Sequence, residues 1–286
     1  MGIDYERLKA WSFEDQLTTY SRKDSMLYAL GLGYGQDPLN SEELTFVFED
    51  GLQAVPSMLT VLGAPGAWAS DPRTGIDWMR ILHGEHRMTV HGTLPPEGCL
   101  RSRTRVSSIV DKGEGRGALV ITTREVSDEA SGKPIATIDH TSFCRSDGGF
   151  GGGDPVPSSL PAVPDAPADT TVNLQTAQGA ALLYRLNGDL NPIHASPAAA
   201  KSAGFDRPIL HGLCTYGMTA RAILRAFCGN RPERLSSLSL RFSAPFYPGE
   251  TLSVELWKRG PNIHFRAIAA ERGQAVLTHG LATIHG

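Results

Sequence analysis

Apolar and polar residues alternate in two sets of four runs, one set in each half of the chain. The runs span residues 86–98, 99–113, 118–126 and 135–143 in the amino half, and 236–249, 251–260, 263–271 and 275–284 in the carboxyl half. Alternation of this kind indicates strands with one buried face, and short turns between consecutive runs favour antiparallel pairing. Because the order of elements repeats, the pattern indicates a duplicated unit.

A helical pattern precedes the strands of the carboxyl half. Between residues 213 and 228, apolar positions recur at spacings of three and four, at Leu213, Tyr216, Gly217, Ala220, Ile223, Leu224 and Phe227. A stripe of this kind predicts a helix that is buried against a sheet. A helix followed by antiparallel strands, twice over, predicts an α+β fold in which each sheet wraps its own helix.

Two shorter helices are predicted upstream, with a loop between them. The first begins at Thr176 as its N-cap and stops at Asn187-Gly188, and the second begins at Ser196, an N-cap that Pro197 follows. The loop reads Gly-Asp-Leu-Asn-Pro-Ile-His, residues 188–194. Polar groups are therefore concentrated in a turn whose glycine and proline prevent a continuous helix.

Asp189 and His194 are the candidate chemical groups of this loop. They lie five residues apart, and the bend at Pro192 allows both side chains to reach one point. A carboxylate and an imidazole that share a water molecule form an acid-base pair, and Asn191 can order the loop or contact a ligand. Two alternatives remain: a turn in which Asp189 only caps backbone N–H groups, and a metal site of Asp189, His194 and His211.

The segment Pro-Ile-Leu-His-Gly-Leu, residues 208–213, leads into the predicted buried helix. The first N–H groups of a helix have no partner inside it, and the helix dipole makes this end partly positive. The N–H of Gly212 can therefore stabilise an oxyanion, and a glycine allows a carbonyl to approach closely. The alternative is a glycine that only relieves crowding where the helix begins.

Composition limits the classes of function. The 286 residues carry 27 Lys and Arg against 30 Asp and Glu, a net charge of -3 that gives no general attraction to nucleic acid or to a membrane. The four cysteines have no CxxC spacing, which argues against a disulfide framework or structural zinc. The polar amino terminus and the lack of a long apolar run favour a cytoplasmic protein.

A stretch rich in glycine and proline divides the chain. We predict an amino-terminal domain at residues 1–145, a linker at 146–171 and a carboxyl-terminal domain with the catalytic loop at 172–286. The glycines of the linker lack the strand and the Gly-Lys-Ser/Thr sequence of a phosphate-binding loop.

Two stretches resemble a known family, namely YRLNGDLNPIH, residues 184–194, and AGFDRPILHGLCTYG, residues 203–217. They resemble the signature of the R-specific 2-enoyl-CoA hydratases, called hydratase 2, among the MaoC-like dehydratases of the hot-dog superfamily. The resemblance extends along most of the chain, for example to LHGEHR at residues 82–87 and PFYPG at residues 245–249. It implies a double hot-dog fold with two antiparallel sheets, each around a long central helix.

The resemblance also implies the reaction, reversible hydration of trans-2-enoyl-CoA to (3R)-3-hydroxyacyl-CoA, with no metal and no cofactor. Asp189 and His194 would activate the water, and the Gly212 N–H would polarise the thioester carbonyl. The substrate-binding candidates are Asn191, His211, Arg185, Lys201, Arg207 and Glu49. The amino-terminal domain would accommodate the acyl tail, and residues 55–68 are apolar enough to line a tunnel.

The resemblance implies a homodimer, and a cytoplasmic location that would become peroxisomal in a eukaryote, although the ending Ala-Thr-Ile-His-Gly is not a peroxisomal signal. Two other functions stay open. One is a dehydratase or thioesterase that acts on another acyl thioester, and the other is an acyl-CoA-binding protein without catalysis.

Overall fold

The structure, a computed structural model, describes residues 2–285, and in these residues all the strands belong to one antiparallel sheet. Its strand order is β1-β3-β4-β5-β2-β7-β10-β9-β8-β6. The strands are β1 Gln16–Tyr20, β2 Ile81–Val90, β3 Gly98–Asp111, β4 Ala118–Asp128, β5 Pro134–Cys144, β6 Thr170–Gln175, β7 Leu235–Phe242, β8 Thr251–Arg259, β9 Asn262–Ala269 and β10 Gln274–Ile284.

The two halves of the chain meet where β2 pairs with β7. This pairing runs from Glu85 opposite Arg241 to Thr89 opposite Ser237, and the Glu85 carboxylate also accepts a 2.7 Å hydrogen bond from the Arg241 guanidinium. The predicted α+β class is therefore confirmed. The two expected sheets, however, are joined edge to edge into one, because neither β2 nor β7 is left as a free edge.

The helices are α1 Tyr5–Lys9, α2 Arg22–Gly31, α3 Ser41–Leu44, α4 Ala180–Tyr184, α5 Pro197–Ser202 and α6 Gly212–Ile223. The predicted buried helix is confirmed as α6, which continues as one π-helical turn, Leu224–Cys228, and ends at Gly229 in the left-handed region. Ten consecutive residues of α6, from Cys214 to Ile223, are buried. Within residues 2–285, no helix combines the length and the apolar character needed to cross a bilayer.

The prediction of a long central helix in the amino half is wrong. The segment that packs against α6 from this half is a 3₁₀ turn, Pro56–Thr60, whose five residues are all buried. Glycines at positive φ follow it at Gly63, Gly66 and Gly75, and prolines follow it at residues 65 and 72, so a helix cannot extend beyond the turn. The longest helix described in this half is α2, with ten residues.

Several boundaries differ from those predicted. The run at 236–249 ends as a strand at Phe242, and the run at 86–98 corresponds to a strand that begins at Ile81 and ends at Val90. The edge strands β1 and β6 were not predicted, and β6 begins inside the proposed linker. Thr176 is not an N-cap, since Gly179 precedes α4 and the Thr176 hydroxyl donates to the Glu250 carbonyl. The division into domains and linker stays a prediction.

The largest buried cluster of apolar side chains includes residues from both halves. Tyr28 and Met88 of the amino half pack in it with Tyr216 and Leu238 of the carboxyl half, and each is at most 1% exposed. A second, smaller cluster of buried apolar side chains lies within the amino half. Because the main core is shared, α6 and the loop before it are held by both halves of the molecule.

Candidate active site

The loop between α4 and α5 has a fixed backbone conformation. Gly188, at φ 114°, ends the 3₁₀ turn Arg185–Asn187, a conformation that a glycine adopts without strain. The Asp189 carboxylate accepts a 3.1 Å hydrogen bond from the Asn191 N–H, and the Asn191 side-chain oxygen accepts a 3.2 Å bond from the Ile193 N–H. Asn191 thus orders the loop, one of the two roles expected for it, and the predicted cap at Ser196 is confirmed beyond it.

Asp189 and His194 face each other across this loop. The Asp189 Oδ2 and the His194 Nε2 are 3.9 Å apart, with the carboxylate side chain 48% exposed and the imidazole side chain 8% exposed. The other ring nitrogen, Nδ1, lies 2.9 Å from the carbonyl oxygen of Ile209. Since a carbonyl only accepts, Nδ1 carries the proton and donates it, so the neutral ring presents the lone pair of Nε2 toward Asp189.

The protonation state of His194 follows from its surroundings. Burial lowers the pKa of His194 below its ordinary value, and the hydrogen bond to the Ile209 carbonyl and the Asp189 carboxylate oppose this effect only in part. The imidazole is therefore neutral near pH 7. A neutral imidazole and a carboxylate are both acceptors at the facing atoms, so they do not hydrogen-bond to each other directly.

His211 connects the loop to the start of α6. Its ring stacks on that of His194, with the centroids 3.7 Å apart and the planes 25° from parallel. Its Nε2 donates a 3.1 Å hydrogen bond to the backbone carbonyl of Asp189, and burial lowers the pKa of His211 to about 4. His211 therefore positions both Asp189 and His194. The three residues also place ligand atoms within 4.8 Å of one another, the grouping that the metal alternative requires.

Gly212 is the first residue of α6 and follows His211 directly. Its N–H belongs to the unpaired set at a helix start, where the helix dipole favours negative charge. A Cβ at this position would lie 3.1 Å from the Phe242 ring, closer than most real contacts. A larger residue at this position would therefore have to displace the Phe242 ring by a few tenths of an ångström. The backbone donor of Gly212 lies next to the stacked imidazoles.

The remaining predicted substrate-binding residues lie at the border of the loop or outside it. The Arg185 guanidinium donates to the Leu190 carbonyl at 3.4 Å, so Arg185 borders the loop. Lys201 is exposed on α5, and Arg207 is exposed with its guanidinium 4.9 Å from the centre of the Tyr247 ring. Glu49 is exposed in the amino half. Among residues 2–285, the structure gives these last three no polar contact with Asp189 or His194, and their substrate contacts stay predictions.

Sequence reasoning missed the buried acid near Glu49. Glu43 is 1% exposed and accepts hydrogen bonds of 2.7 and 3.0 Å from Arg221 of α6. The pair links the amino half to the central helix of the other half. No spacing in the sequence indicates it, because the two residues are 178 positions apart.

Comparison with protein families agrees with the motifs in both halves. Residues 18–146 match the family described as MFE-2 hydratase 2 N-terminal domain, and residues 159–279 match the family described as MaoC like domain. The catalytic candidates all fall within the second match.

Individual relatives cover nearly the whole chain. A Dictyostelium discoideum protein named probable enoyl-CoA hydratase 2 is 40% identical over 296 residues, which cover 99% of this chain and 97% of the relative. The Drosophila melanogaster peroxisomal multifunctional enzyme type 2 is 37% identical and covers 91% of this chain, but the chain spans only 44% of that enzyme.

Solved structures confirm the double hot-dog fold. A MaoC-like dehydratase from Phytophthora capsici has a TM-score of 0.88 at 30% identity and covers 99% of this chain and 98% of its own. A Mycobacterium tuberculosis protein described as having a double hotdog fold has a TM-score of 0.55 at 15% identity, with 96% of each chain covered, which supports the fold alone. The chain therefore belongs to the hydratase 2 family of MaoC-like dehydratases.

Proposed function

We propose that this protein is an enoyl-CoA hydratase that adds water reversibly to trans-2-enoyl-CoA and forms (3R)-3-hydroxyacyl-CoA. The observation that carries the proposal is the 3.9 Å separation of the Asp189 Oδ2 and the His194 Nε2, two acceptors next to the start of α6. Family membership and the Dictyostelium relative, named a probable enoyl-CoA hydratase 2, support the same reaction.

Two acceptors at this distance are suited to one water molecule that donates a hydrogen to each of them. Each hydrogen bond would be about 2.8 Å long, and the oxygen would keep a lone pair free for attack. The carboxylate and the neutral imidazole can both accept a proton as the oxygen bonds to the β-carbon. The site then gives a proton to the α-carbon, so that water is added in full and the pair returns to its starting protonation.

The negative charge of the reaction develops on the thioester oxygen. The Gly212 N–H, at the positive end of α6, is the donor that would stabilise it. This donor lies beside the Asp189 and His194 pair because His211, the preceding residue, stacks on His194. The reaction needs one water, one oxyanion donor and proton-transfer groups, and it requires neither metal nor redox cofactor.

The substrate would be an acyl-CoA thioester, whose phosphates call for basic side chains near the opening of the site. Arg185 is the best placed of the three basic candidates, because it borders the loop. The apolar segment at residues 55–68 packs its 3₁₀ turn against α6, which is where the acyl tail would pass from the carboxyl half to the amino half. The homodimer and the cytoplasmic location stay predictions, and the Drosophila relative is named peroxisomal.

The test is hydration of crotonyl-CoA and of longer enoyl-CoA substrates. The reaction is monitored by the loss of the enoyl-thioester absorbance, and the product is identified by chiral analysis. Asp189→Asn and His194→Gln should each lower kcat by roughly 100- to 10,000-fold. The matched controls are Asp206→Asn and His285→Gln, which change exposed residues of the same types and should keep the activity.

Three results would contradict the proposal. Full turnover in both loop variants would remove the Asp189 and His194 pair from the reaction. Release of free thiol would identify a thioesterase instead. Binding of a series of acyl-CoA molecules with no turnover would identify a binding protein that keeps the fold.

A further inference from the structure

Three histidines outside the catalytic loop converge in the sheet of the amino half. His83 and His86 lie on β2 and His140 lies on β5, and their ligand atoms are all within 4.8 Å of one another. The His83 Nε2 is 3.2 Å from the His86 Nδ1, and the rings of His83 and His140 have centroids 4.0 Å apart. We call these three residues the β2–β5 histidine cluster.

A β-bulge brings the three side chains to the same face. Residues three apart on a regular strand point to opposite faces, so His83 and His86 should not meet. The register between β2 and β5 shifts between His83 and Glu85, which makes Gly84 the extra residue and turns His83 to the side of His86. His86 is directly opposite His140 in the same pairing, and cross-strand neighbours of this kind are in contact.

The cluster has more nitrogen atoms than hydrogen-bond partners. In the described residues its one internal bond joins His83 to His86, and the buried Nε2 of His86 has no partner. His86 is 2% exposed, so its Nε2 faces no bulk water either. A buried ring nitrogen that has no hydrogen-bond partner can bind a metal ion through its lone pair.

We propose that His83, His86 and His140 form a binding site for a late first-row transition-metal cation, with three imidazole ligands and an open coordination position. Imidazole is a preferred ligand of zinc and copper, and neutral nitrogen ligands without carboxylate argue against magnesium or calcium. Tetrahedral zinc with bonds of about 2.0–2.1 Å places its ligand nitrogens about 3.3 Å apart, close to the His83–His86 distance.

The charge near the cluster selects among these ions. The guanidinium of Arg124 is buried and donates to the carbonyls of Leu59 and Thr60. Arg124 lies on the same face of the sheet as His140, because Thr122, two residues away on β4, is directly opposite His140. A further positive charge is therefore opposed, and a doubly charged ion is opposed more than a singly charged one. Copper(I) should bind better than zinc(II) unless hydroxide occupies the open position and cancels one charge.

The site would be separate from the proposed hydration chemistry. The Phe242 ring lies between the two places, with its centroid 4.2 Å from that of His83 on one side and its edge against Gly212 on the other. A metal ion would thus link β2 to β5 on the side of the Phe242 ring that faces away from the active site, and it would not contact the substrate.

The experiment measures metal binding to the untagged, chelator-treated protein. Copper(I) is titrated without oxygen in competition with bicinchoninate, and zinc(II) in competition with a chromogenic chelator. We expect one ion per chain, and His140→Phe should weaken binding by at least about 10-fold. The control His91→Phe changes an exposed histidine that follows β2 and should leave binding unchanged.

A second variant excludes the other group of possible ligands. Asp189→Asn combined with His194→Gln removes two of the three residues of the catalytic grouping and should keep one ion per chain. Loss of the ion in this variant would place the metal in the loop and overturn the proposal. Retention of full affinity in His140→Phe, or no binding of either ion, would also overturn it.

One measurement needs no variant and therefore does not depend on how the substitutions fold. Long-range nitrogen-proton spectra of the imidazoles in the unmodified protein should shift for three histidines when the ion is added. Unchanged spectra of these rings would refute the site, whatever the activity toward enoyl-CoA.

Discussion

The buried ion pair between Glu43 and Arg221 supports a quantitative prediction about stability. The Glu43 side chain is 1% exposed and that of Arg221 is 6% exposed, and two hydrogen bonds of 2.7 and 3.0 Å join them. Glu43→Gln keeps the shape of the side chain but removes its charge. The Arg221 guanidinium would then be buried without a counterion, which is the costly way to break such a pair.

The expected loss of unfolding free energy depends on the contacts that Arg221 keeps in the variant. Breaking one partner of a buried pair costs about 3–5 kcal/mol of unfolding free energy. Arg221 keeps a 3.2 Å hydrogen bond to the Leu32 carbonyl and packs its guanidinium 4.9 Å from the centre of the Tyr34 ring. These contacts place the expected loss at the lower end, about 3 kcal/mol.

The assay is urea unfolding followed by fluorescence and circular dichroism. The matched control is Glu125→Gln, because Glu125 pairs with Arg105 at 2.9 Å on the surface, where the two side chains are 59% and 58% exposed. An exposed pair is worth about 0–1 kcal/mol, so this variant should unfold almost like the parent. The double variant Glu43→Leu with Arg221→Met should recover part of the loss, since neither charge then stays buried alone.

The reasoning would be refuted by equal effects of the two single substitutions, or by a loss at Glu43 below about 1 kcal/mol. A change in the dependence of unfolding free energy on urea would show instead that the unfolded or native state had changed its compactness.

Three further predictions concern the site. Gly212→Ala should lower kcat/KM by less than the roughly 100-fold that a 1 Å misplacement costs, because its Cβ would displace the Phe242 ring by only a few tenths of an ångström. Gly179→Ala, with open space around it, should match the parent in the same assay. Because burial lowers the pKa of His194, activity that needs its neutral ring should persist below pH 6.5 and fall only as the pH drops through that lowered pKa; a pH profile of kcat/KM that already falls above pH 6.5 would contradict this. Ser196→Ala removes the cap of α5 and should cost about 1 kcal/mol in urea unfolding, whereas the exposed change Ser202→Ala should cost under about 0.5 kcal/mol.

The strands and the central helix could be predicted from the sequence because each has a strong local period. The stripe from Leu213 to Phe227 predicted α6, and alternation predicted four strands in each half. The edge strands β1 and β6 have only five and six residues, too few for a clear alternation. Pairing with β3 and β8, which are distant in sequence, makes them strands.

The candidate site was predicted in part. Asp189, Asn191 and His194 lie within one loop, so a local motif could identify them together with Gly212. The stacking of His211 on His194 depends on how the start of α6 meets the loop, and the pairing of Glu43 with Arg221 depends on how the two halves pack. The β2–β5 histidine cluster depends on a register shift at Gly84. Alternation alone would place His83 and His86 on opposite faces of the sheet.

The pairing of β2 with β7 has a consequence for fragments of this protein. Cutting the backbone in the segment between β5 and β6 would separate two pieces, each with an unsatisfied strand border and an incomplete interior. Neither piece should persist alone in solution, yet mixing them should restore the assembled molecule, because the complementary border of each is carried by the other. A permuted chain that begins at β6 and ends at β5 should therefore fold as well.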